Sequence, residues 1–418
     1  LVQETEKEHE DIREQADETD AMFGELYSWY LRNPEYRSRV QKLVQSAFAG
    51  KPEDIISQSV AKALYGEVSP YSATRLERFA ACAFAHFLQY GMKLTERVEY
   101  EFKPMDMGNV MHEALESFAE EVRKRGMKWT ELTEQERNEI ADRCLDNIVA
   151  DYGNTVLKSS ARNEYMIERT RRILRRTVWA LQKQLEQGEF QPEGFEVTFG
   201  GGRIDRVDIM EDQNKVYVKV IDYKTGNTSF DLVYLYHGLQ LQLMIYLDGA
   251  LRVEQKKYPD KEIIPAGVFY YNIKDPMIQE KIDADVEAVS AGLMKELKMN
   301  GLVQADPELV YRMDSSLGSI PVAFNKDGSF RKNSSVADRT QFAVLGRYVR
   351  TKIEKIRSSI LEGDAEVSPY ELGKKNACTY CPYMTVCGFD RRLSGYEFRR
   401  LKNFSDEELW KAFDREAE

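Results

Sequence analysis

Three cysteines, Cys378, Cys381 and Cys387, fall within ten residues near the C-terminal end, spaced C-x2-C-x5-C. The chain has five cysteines in all. An odd, sparse count without a secretion signal argues against a disulfide framework and for a metal. Zinc sites usually combine two C-x2–4-C pairs. Here there is one pair and one single cysteine, so another thiol has to come from a distance. A cubane [4Fe–4S] cluster takes four thiolates. Cys82 is the better candidate for the fourth and Cys144 the lesser one. With Cys82, the chain closes into a loop of about 300 residues, a constraint worth about 5–6 kcal/mol in a loop-entropy model.

The hydrophobic period changes to two at Phe195. Phe195–Phe199, Arg203–Met210 and Val216–Tyr223 read as three successive strands, with Gly200-Gly201-Gly202 and Glu211–Asn214 as the turns. In the third, Val218, Val220 and Asp222 share one face, and Lys224 follows on that face where the strand runs out. A carboxylate and an ammonium so placed can hold a divalent cation and orient a water beside it; alone, the pair reads as an exposed salt pair. Asp205 lies on the apolar face of Val207 and Ile209, where an acid needs a partner.

Helical periodicity dominates elsewhere. Ser72 is positioned to cap a helix from Ala73 to about Gln89 that carries Cys82. A second helix opens at Gly108, with Met111, Leu115, Phe118 and Val122 as its core stripe and His112 on its flank. Residues 130–187 read as further helix. There Arg169, Arg172 and Arg176 gather opposite the apolar face and Arg171 flanks it, which suits either a solvated face or a phosphate-tracking stripe. A helix from about Gly238 to Lys256 places Gln242 and Tyr246 on one face. Ala266–Asn272 reads as a strand, 325–335 as a polar loop and Gln341–Leu361 as a helix.

The formal net charge is −11, of which residues 1–20 supply −7, so the remainder is nearly balanced and local basic patches can act. No apolar run approaches the roughly 20 residues that span a bilayer. The first residues are acidic and polar, so no signal peptide is expected and a cytoplasmic, nucleoid-associated location is. No G-x-x-x-x-G-K-[ST] occurs, which disfavours an ATP-dependent motor. The chain begins with Leu1, so a piece of a longer protein is expected. We divide it into an acidic helical segment ending a preceding domain (1–68), a main domain (69–395) and a C-terminal tail (396–418).

Gly108-x-x-x-His112, Gly202-Arg203-Ile204-Asp205, Asp222-Tyr223-Lys224 and Gln242-Leu243-x-x-Tyr246 resemble, in order, the RecB-like nuclease motifs of the PD-(D/E)xK superfamily. A single upstream cysteine with a C-x2-C-x5-C tail resembles that group's iron–sulfur branch. Ser69–Leu94, Asn300–Asp306 and Cys378–Asp390 are similar to the C-terminal nuclease part of the AddB component of bacterial AddAB helicase–nucleases. The likeness covers roughly 65–400. One departure is Ala83, where the family usually has proline after the first cluster cysteine.

The resemblance implies an α/β fold: a restriction-endonuclease-like mixed sheet flanked by helices, with a helical N-terminal segment and an iron–sulfur-stapled C-terminal tail. It implies that His112, Asp205, Asp222 and the carbonyl of Tyr223 bind Mg²⁺ or Mn²⁺. Lys224 would orient the attacking water, and Gln242 and Tyr246 would position Lys224 and the scissile strand. Cys82, Cys378, Cys381 and Cys387 would hold a [4Fe–4S] cluster. The implied activity is Mg-dependent exonucleolytic hydrolysis of unwound DNA single strands within a heterodimeric helicase–nuclease that repairs double-strand breaks by recombination. Two alternatives are a DNA-end clamp with a vestigial site and a free-standing exonuclease of the CRISPR-associated type. The retained His112, Asp205, Asp222 and Lys224 count against the first, and chain length against the second.

Overall fold

A computed structural model describes residues 20–48, 55–66, 72–95, 104–151, 160–200, 202–278 and 285–417. The acidic stretch 1–19 lies outside them. The chain forms two compact units. In the smaller, helix α1 (described over 20–32) leads into α2 (Pro34–Phe48), whose start Asn33 caps by accepting the Glu35 amide at 3.1 Å. This unit also takes Gly388–Glu397, where Phe389 meets Tyr396 edge-on.

The larger unit, Ile55–Cys387 with Phe398–Glu418, is built on a six-stranded mixed sheet in the order β1-β2-β3-β4-β5-β6. Its strands are β1 (Gln191–Phe199), β2 (Gly202–Asp212), β3 (Lys215–Lys224), β4 (Glu262–Asn272), β5 (Asn300–Gln304) and β6 (Val336–Ala337). The first three form an antiparallel meander, β3 pairs parallel with β4, β4 antiparallel with β5, and β5 parallel with β6. The expected mixed sheet flanked by helices is therefore present. β1 begins four residues earlier than the sequence pattern indicates, because Gln191 and Pro192 still find partners on β2 across a bulge.

Helices cover both faces. On one, Tyr217, Ile221, Phe269 and Tyr271 pack against α6 (Pro104–Lys124), α7 (Glu134–Asp151) and α8 (Ala161–Glu186). On the other, Val218, Val220, Val268 and Tyr270 pack against α4 (Ala73–Ala81), α10 (Gln242–Lys257) and α13 (Arg339–Glu362). This alternation along β3 and β4 is what a strand buried on both faces requires. Short helix α3 (Gln58–Tyr65) also packs on the second face, and Gly363 ends α13 at φ +93°, where a Cβ would lie 2.0 Å from the Ile56 carbonyl oxygen. The stretch after 396, expected as a tail, adds β9 (Arg399–Arg400) to a small sheet with β7 (Tyr370–Leu372) and β8 (Lys375–Asn376). Its last helix, α15 (Asp406–Ala417), buries Leu409, Ala412 and Phe413 in the second core; α14 (Met384–Cys387) lies between β8 and β9.

Three helix boundaries depart from the sequence pattern, each for a local reason. The Ala73 helix, capped by Ser72 as expected, stops at Ala81; Cys82 is extended, and the chain resumes as α5 (Ala83–His86) and a π turn, Phe87–Gly91. The Gly108 helix starts earlier, at Pro104, where a missing N–H costs nothing. The helix expected from Gly238 begins instead at Gln242, as α10, after a separate short helix α9 (Leu232–Tyr236); Gly238, between them, takes φ +78°. Val286–Glu296 and Pro307–Met313 form α11 and α12.

Candidate active site and cysteine cradle

The meander's register sets three acids side by side. β1 and β2 pair Phe195 with Arg206 and Val197 with Ile204, which puts Glu196 opposite Asp205. β2 and β3 pair Arg206 with Ile221, which puts Asp205 opposite Asp222. His112, on α6, reaches this end of the sheet. Its Nδ1 lies 3.3 Å from Asp205 Oδ2 and 3.7 Å from Glu196 Oε1. The ligand atoms of His112, Glu196 and Asp205 all lie within 4.8 Å of one another, the only such group among the described residues. Burial opposes a charge on His112, but the hydrogen bonds and charges of Asp205 and Glu196 outweigh it and push its pKa up to about 10.

Glu196 went unnoticed in the sequence, where it reads as an ordinary polar residue of an alternating strand. It sits at φ +49°, a left-handed conformation uncommon for a residue with a side chain and one that clusters at functional sites. Arg203 Nε holds its other oxygen at 2.5 Å. Gly202, which opens the Gly-Arg-Ile-Asp motif, takes φ +146°, and a Cβ there would meet the Tyr246 ring at 3.5 Å.

Asp222 stands outside the His112–Glu196–Asp205 group, which differs from the expected triad of His112, Asp205 and Asp222. Asp222 is buried, and its Oδ2 lies 2.7 Å from Lys224 Nζ, off the line of a hydrogen bond and otherwise unpartnered. Burial first, then the charge of Asp205, push its carboxyl up to about 7 against the pull of Lys224 and His112. The Tyr223 amide, between Asp222 and Lys224, donates to Asp205 Oδ2 at 2.7 Å. Crowded carboxylates, an imidazole and an orphaned buried oxygen are a donor set that suits a hard or borderline divalent cation.

Lys224 is held by α10. Its Nζ donates to Gln242 Oε1 at 2.8 Å and lies over the Tyr270 ring at 5.4 Å, while Gln242 Nε2 donates to Tyr246 OH at 2.9 Å. The expected Lys224–Gln242–Tyr246 grouping is thus assembled. Glu77 on α4, also missed, fixes the start of α10: its Oε1 accepts the amides of Leu241 and Gln242 at 2.7 and 2.9 Å. Burial pushes the Glu77 carboxyl up to about 7 despite those two bonds. Behind the row of acids, Asp208 is buried between Arg206 (2.5 and 2.9 Å) and Lys219 (3.0 Å), a closed charge network.

The cysteines lie apart from this group of acids. All are free thiols. Cys82 joins Ala85, Leu88 and Tyr383 in a small apolar cluster against which Cys381 packs. Burial raises the Cys82 pKa, while the nearby amides of Ala85, Ser368 and Phe84 act in the opposite direction; the Phe84 and Ser368 amides themselves donate to the Glu366 carbonyl at 3.0 and 2.9 Å. Burial and the charges of Cys82, Cys381 and Cys387 push Cys378 up to about 11, while among the described residues no three thiol sulfurs lie within 4.8 Å of one another. Asn376 Oδ1 accepts the Cys378 and Thr379 amides at 2.9 and 3.1 Å, and Tyr383 OH donates to the Leu94 carbonyl at 3.0 Å. Ala83 is the first residue of α5, a position where proline and alanine fit equally. Cys144 is buried instead in the core among α6, α7 and α8.

A family model described as the PD-(D/E)XK nuclease superfamily matches residues 70–388. Among curated relatives, the B subunit of the ATP-dependent helicase/deoxyribonuclease of Lachnoclostridium phytofermentans is 41% identical, with 97% of this chain and 37% of that protein aligned. The proteins of the same name from Alkaliphilus metalliredigens and Clostridium acetobutylicum are 34% and 33% identical, covering 98% and 96% of this chain and 38% and 36% of theirs. The chain thus spans a little over a third of the length of these relatives. The family match takes in every strand that carries the acids, the helix of His112 and Cys82, Cys378, Cys381 and Cys387, and the chain belongs to the PD-(D/E)XK nuclease superfamily.

Proposed function

We propose that this chain is the deoxyribonuclease module of a helicase–nuclease, hydrolysing phosphodiester bonds of unwound single strands during recombinational repair of DNA breaks. The observation that carries the reading is Lys224: an ammonium between Asp222 and Gln242 beside a cation-ready group of His112, Glu196 and Asp205. His112, Asp205 and Asp222, with Glu196 and the Tyr223 carbonyl, would hold Mg²⁺ or Mn²⁺. When bound, the cation supplies Lewis acidity at a phosphoryl oxygen and a more acidic water. Lys224 orients the attacking water and offsets charge developing on the phosphate. Gln242 and Tyr246 fix Lys224 and present polar atoms to the strand, and Asp205 stays oriented through the Tyr223 amide.

The cysteine cradle suits a [4Fe–4S] cluster held by Cys82, Cys378, Cys381 and Cys387, which would supply a cross-link between distant parts of the chain. The relatives' printed name, which makes each of them one of the subunits of an ATP-dependent helicase/deoxyribonuclease, supports a heterodimer with a motor partner that feeds strands to this site. Among the described residues no helix is long and apolar enough to cross a membrane, in keeping with a cytoplasmic location beside the nucleoid. The test is incubation of the full-length chain with end-labelled single-stranded DNA, with Mg²⁺ or with EDTA. Mg-dependent release of short labelled products, indicating exonucleolytic action, is expected; intact DNA under both conditions would refute the reading.

A further inference from the structure

A groove of about 460 Å³ runs between α7, α8 and α11, and four arginines line it: Arg137, Arg172, Arg175 and Arg176. Three are matched by acids. Arg172 lies 2.6 Å and Arg176 4.0 Å from the shared Asp275, and Arg175 pairs with Asp142. Glu134 also lies in the wall. Arg137 is different. It is 6% exposed and has no carboxylate within ion-pair distance among the described residues, although the charges of Glu134 and Glu186 reach it. Its single side-chain bond donates from Nη1 to Gln182 Oε1 at 2.6 Å, and its Nε is buried without a partner. Arg176 Nε is likewise buried without a hydrogen bond, its guanidinium held over the Trp179 ring at 5.4 Å. A buried guanidinium without a carboxylate is costly unless an anion joins it.

The groove's position indicates which anion. Asn272 ends β4 paired with Lys224, and the Ile273 amide donates to the Lys224 carbonyl at 2.7 Å. Asp275, two residues further, therefore brings Arg172 and Arg176 to the end of the sheet that carries Lys224, on the α7–α8 face, whereas Lys224 Nζ is held on the α10 face. Arg172 and Trp179 are seven residues apart on α8, so the lined stretch runs about 10 Å along the helix.

We propose that this groove binds a phosphate group of the DNA strand engaged at Lys224, with Arg137 as its buried anchor and Arg172 and Arg176 on the path to the site. A guanidinium's planar fork matches a phosphodiester's oxygens. That the anion is DNA rests on the nuclease reading; that the groove takes an anion does not.

The test uses the full-length chain carrying Lys224→Ala, so that the strand stays intact. Anisotropy of a labelled single-stranded oligonucleotide across a salt series is compared with and without Arg137→Met. Loss of one phosphate contact lowers the slope of log affinity against log salt by about 0.7 and weakens binding roughly tenfold. Without DNA, the Arg137→Met protein melts higher than its parent, since a buried guanidinium with only distant acids, Glu134 and Glu186, to offset its desolvation is gone. A brace role through Gln182 alone predicts an unchanged slope and a lower melting temperature, and that pair of results would overturn the proposal. Should Arg137→Met not fold, Arg176→Gln must show the same loss of slope or the proposal fails. Inorganic phosphate or a free nucleotide displacing the oligonucleotide at low concentration would overturn the strand assignment. If wild type fails to cleave DNA while the slope still changes, the nuclease reading falls and the anion site stands.

Discussion

Glu77 links two parts of the site that the chain keeps 164 residues apart, and its replacement separates positioning from chemistry. Its Oε1 accepts both amides that open α10, the helix whose Gln242 holds Lys224. Losing a helix-capping acceptor costs about 0.5–2 kcal/mol. Against this, burial lifts the carboxyl from 4.5 to about 7, a displacement worth on the order of 3 kcal/mol. The acid is raised, so the folded chain holds a proton that the unfolded chain has lost. Stability from this group is therefore greatest below pH 4.5 and falls as pH rises to about 7. Glu77→Gln keeps an acceptor oxygen and does not titrate; it is expected to be the more stable above pH 7 by up to about 3 kcal/mol, with cleavage near wild type. Glu77→Ala frees the start of α10, and a displacement of about 1 Å at Lys224 is expected to slow single-turnover cleavage roughly 10²-fold. Mg²⁺ affinity should persist, because Glu77 is not among the three clustered ligand groups. The assays are chemical denaturation from pH 5 to 8 and single-turnover cleavage. A wild-type rate for Glu77→Ala, or the wild-type pH slope in Glu77→Gln, would refute the reasoning.

Three further outcomes are expected. Anaerobically purified protein carries iron and sulfide in equal amounts, lost in Cys82→Ser and kept in Cys144→Ser by iron and sulfide analysis; stoichiometric zinc without iron would contradict this. In EDTA, wild type loses stability as pH rises from 3.8 towards 7, the range over which Asp222 is kept protonated by folding, and thermal melts of Asp222→Asn show a shallower fall, that left by Glu77. Glu196→Gln weakens Mg²⁺ binding at least roughly tenfold by calorimetry; unchanged affinity would remove Glu196 from the ligand set.

Much of this site was legible because its parts lie on regular elements. Asp222 and Lys224 share a strand face by the two-residue period, and Gln242 and Tyr246 share a helix face one turn apart. The rest depended on features with no periodic signature. Glu196 takes a left-handed φ of +49°, which a pattern of alternation cannot express. Its place was nonetheless countable: the glycine turn pairs Phe199 with Gly202, and three residues further from the turn on each side lie Glu196 and Asp205. Glu77 had no such clue, since its carboxylate meets amides far away in sequence, and the same contact explains why α10 begins at Gln242. Helical propensity runs unbroken through Ala81-Cys82-Ala83, so nothing in the local sequence marks the extended Cys82 at which the helix breaks. The end of the chain looked like a tail because amphipathic α15 reveals its role only once α13 is in place beneath Phe413.

The central claim is that His112, Glu196, Asp205 and Asp222 hold a cation at which Lys224 acts on a DNA phosphodiester. It is tested most directly by measuring Mg²⁺ binding and single-strand cleavage together in Asp222→Ala and Lys224→Ala. The account predicts that Asp222→Ala loses both, and that Lys224→Ala retains the cation while cleavage falls by orders of magnitude. Cleavage at the wild-type rate by Asp222→Ala would contradict it.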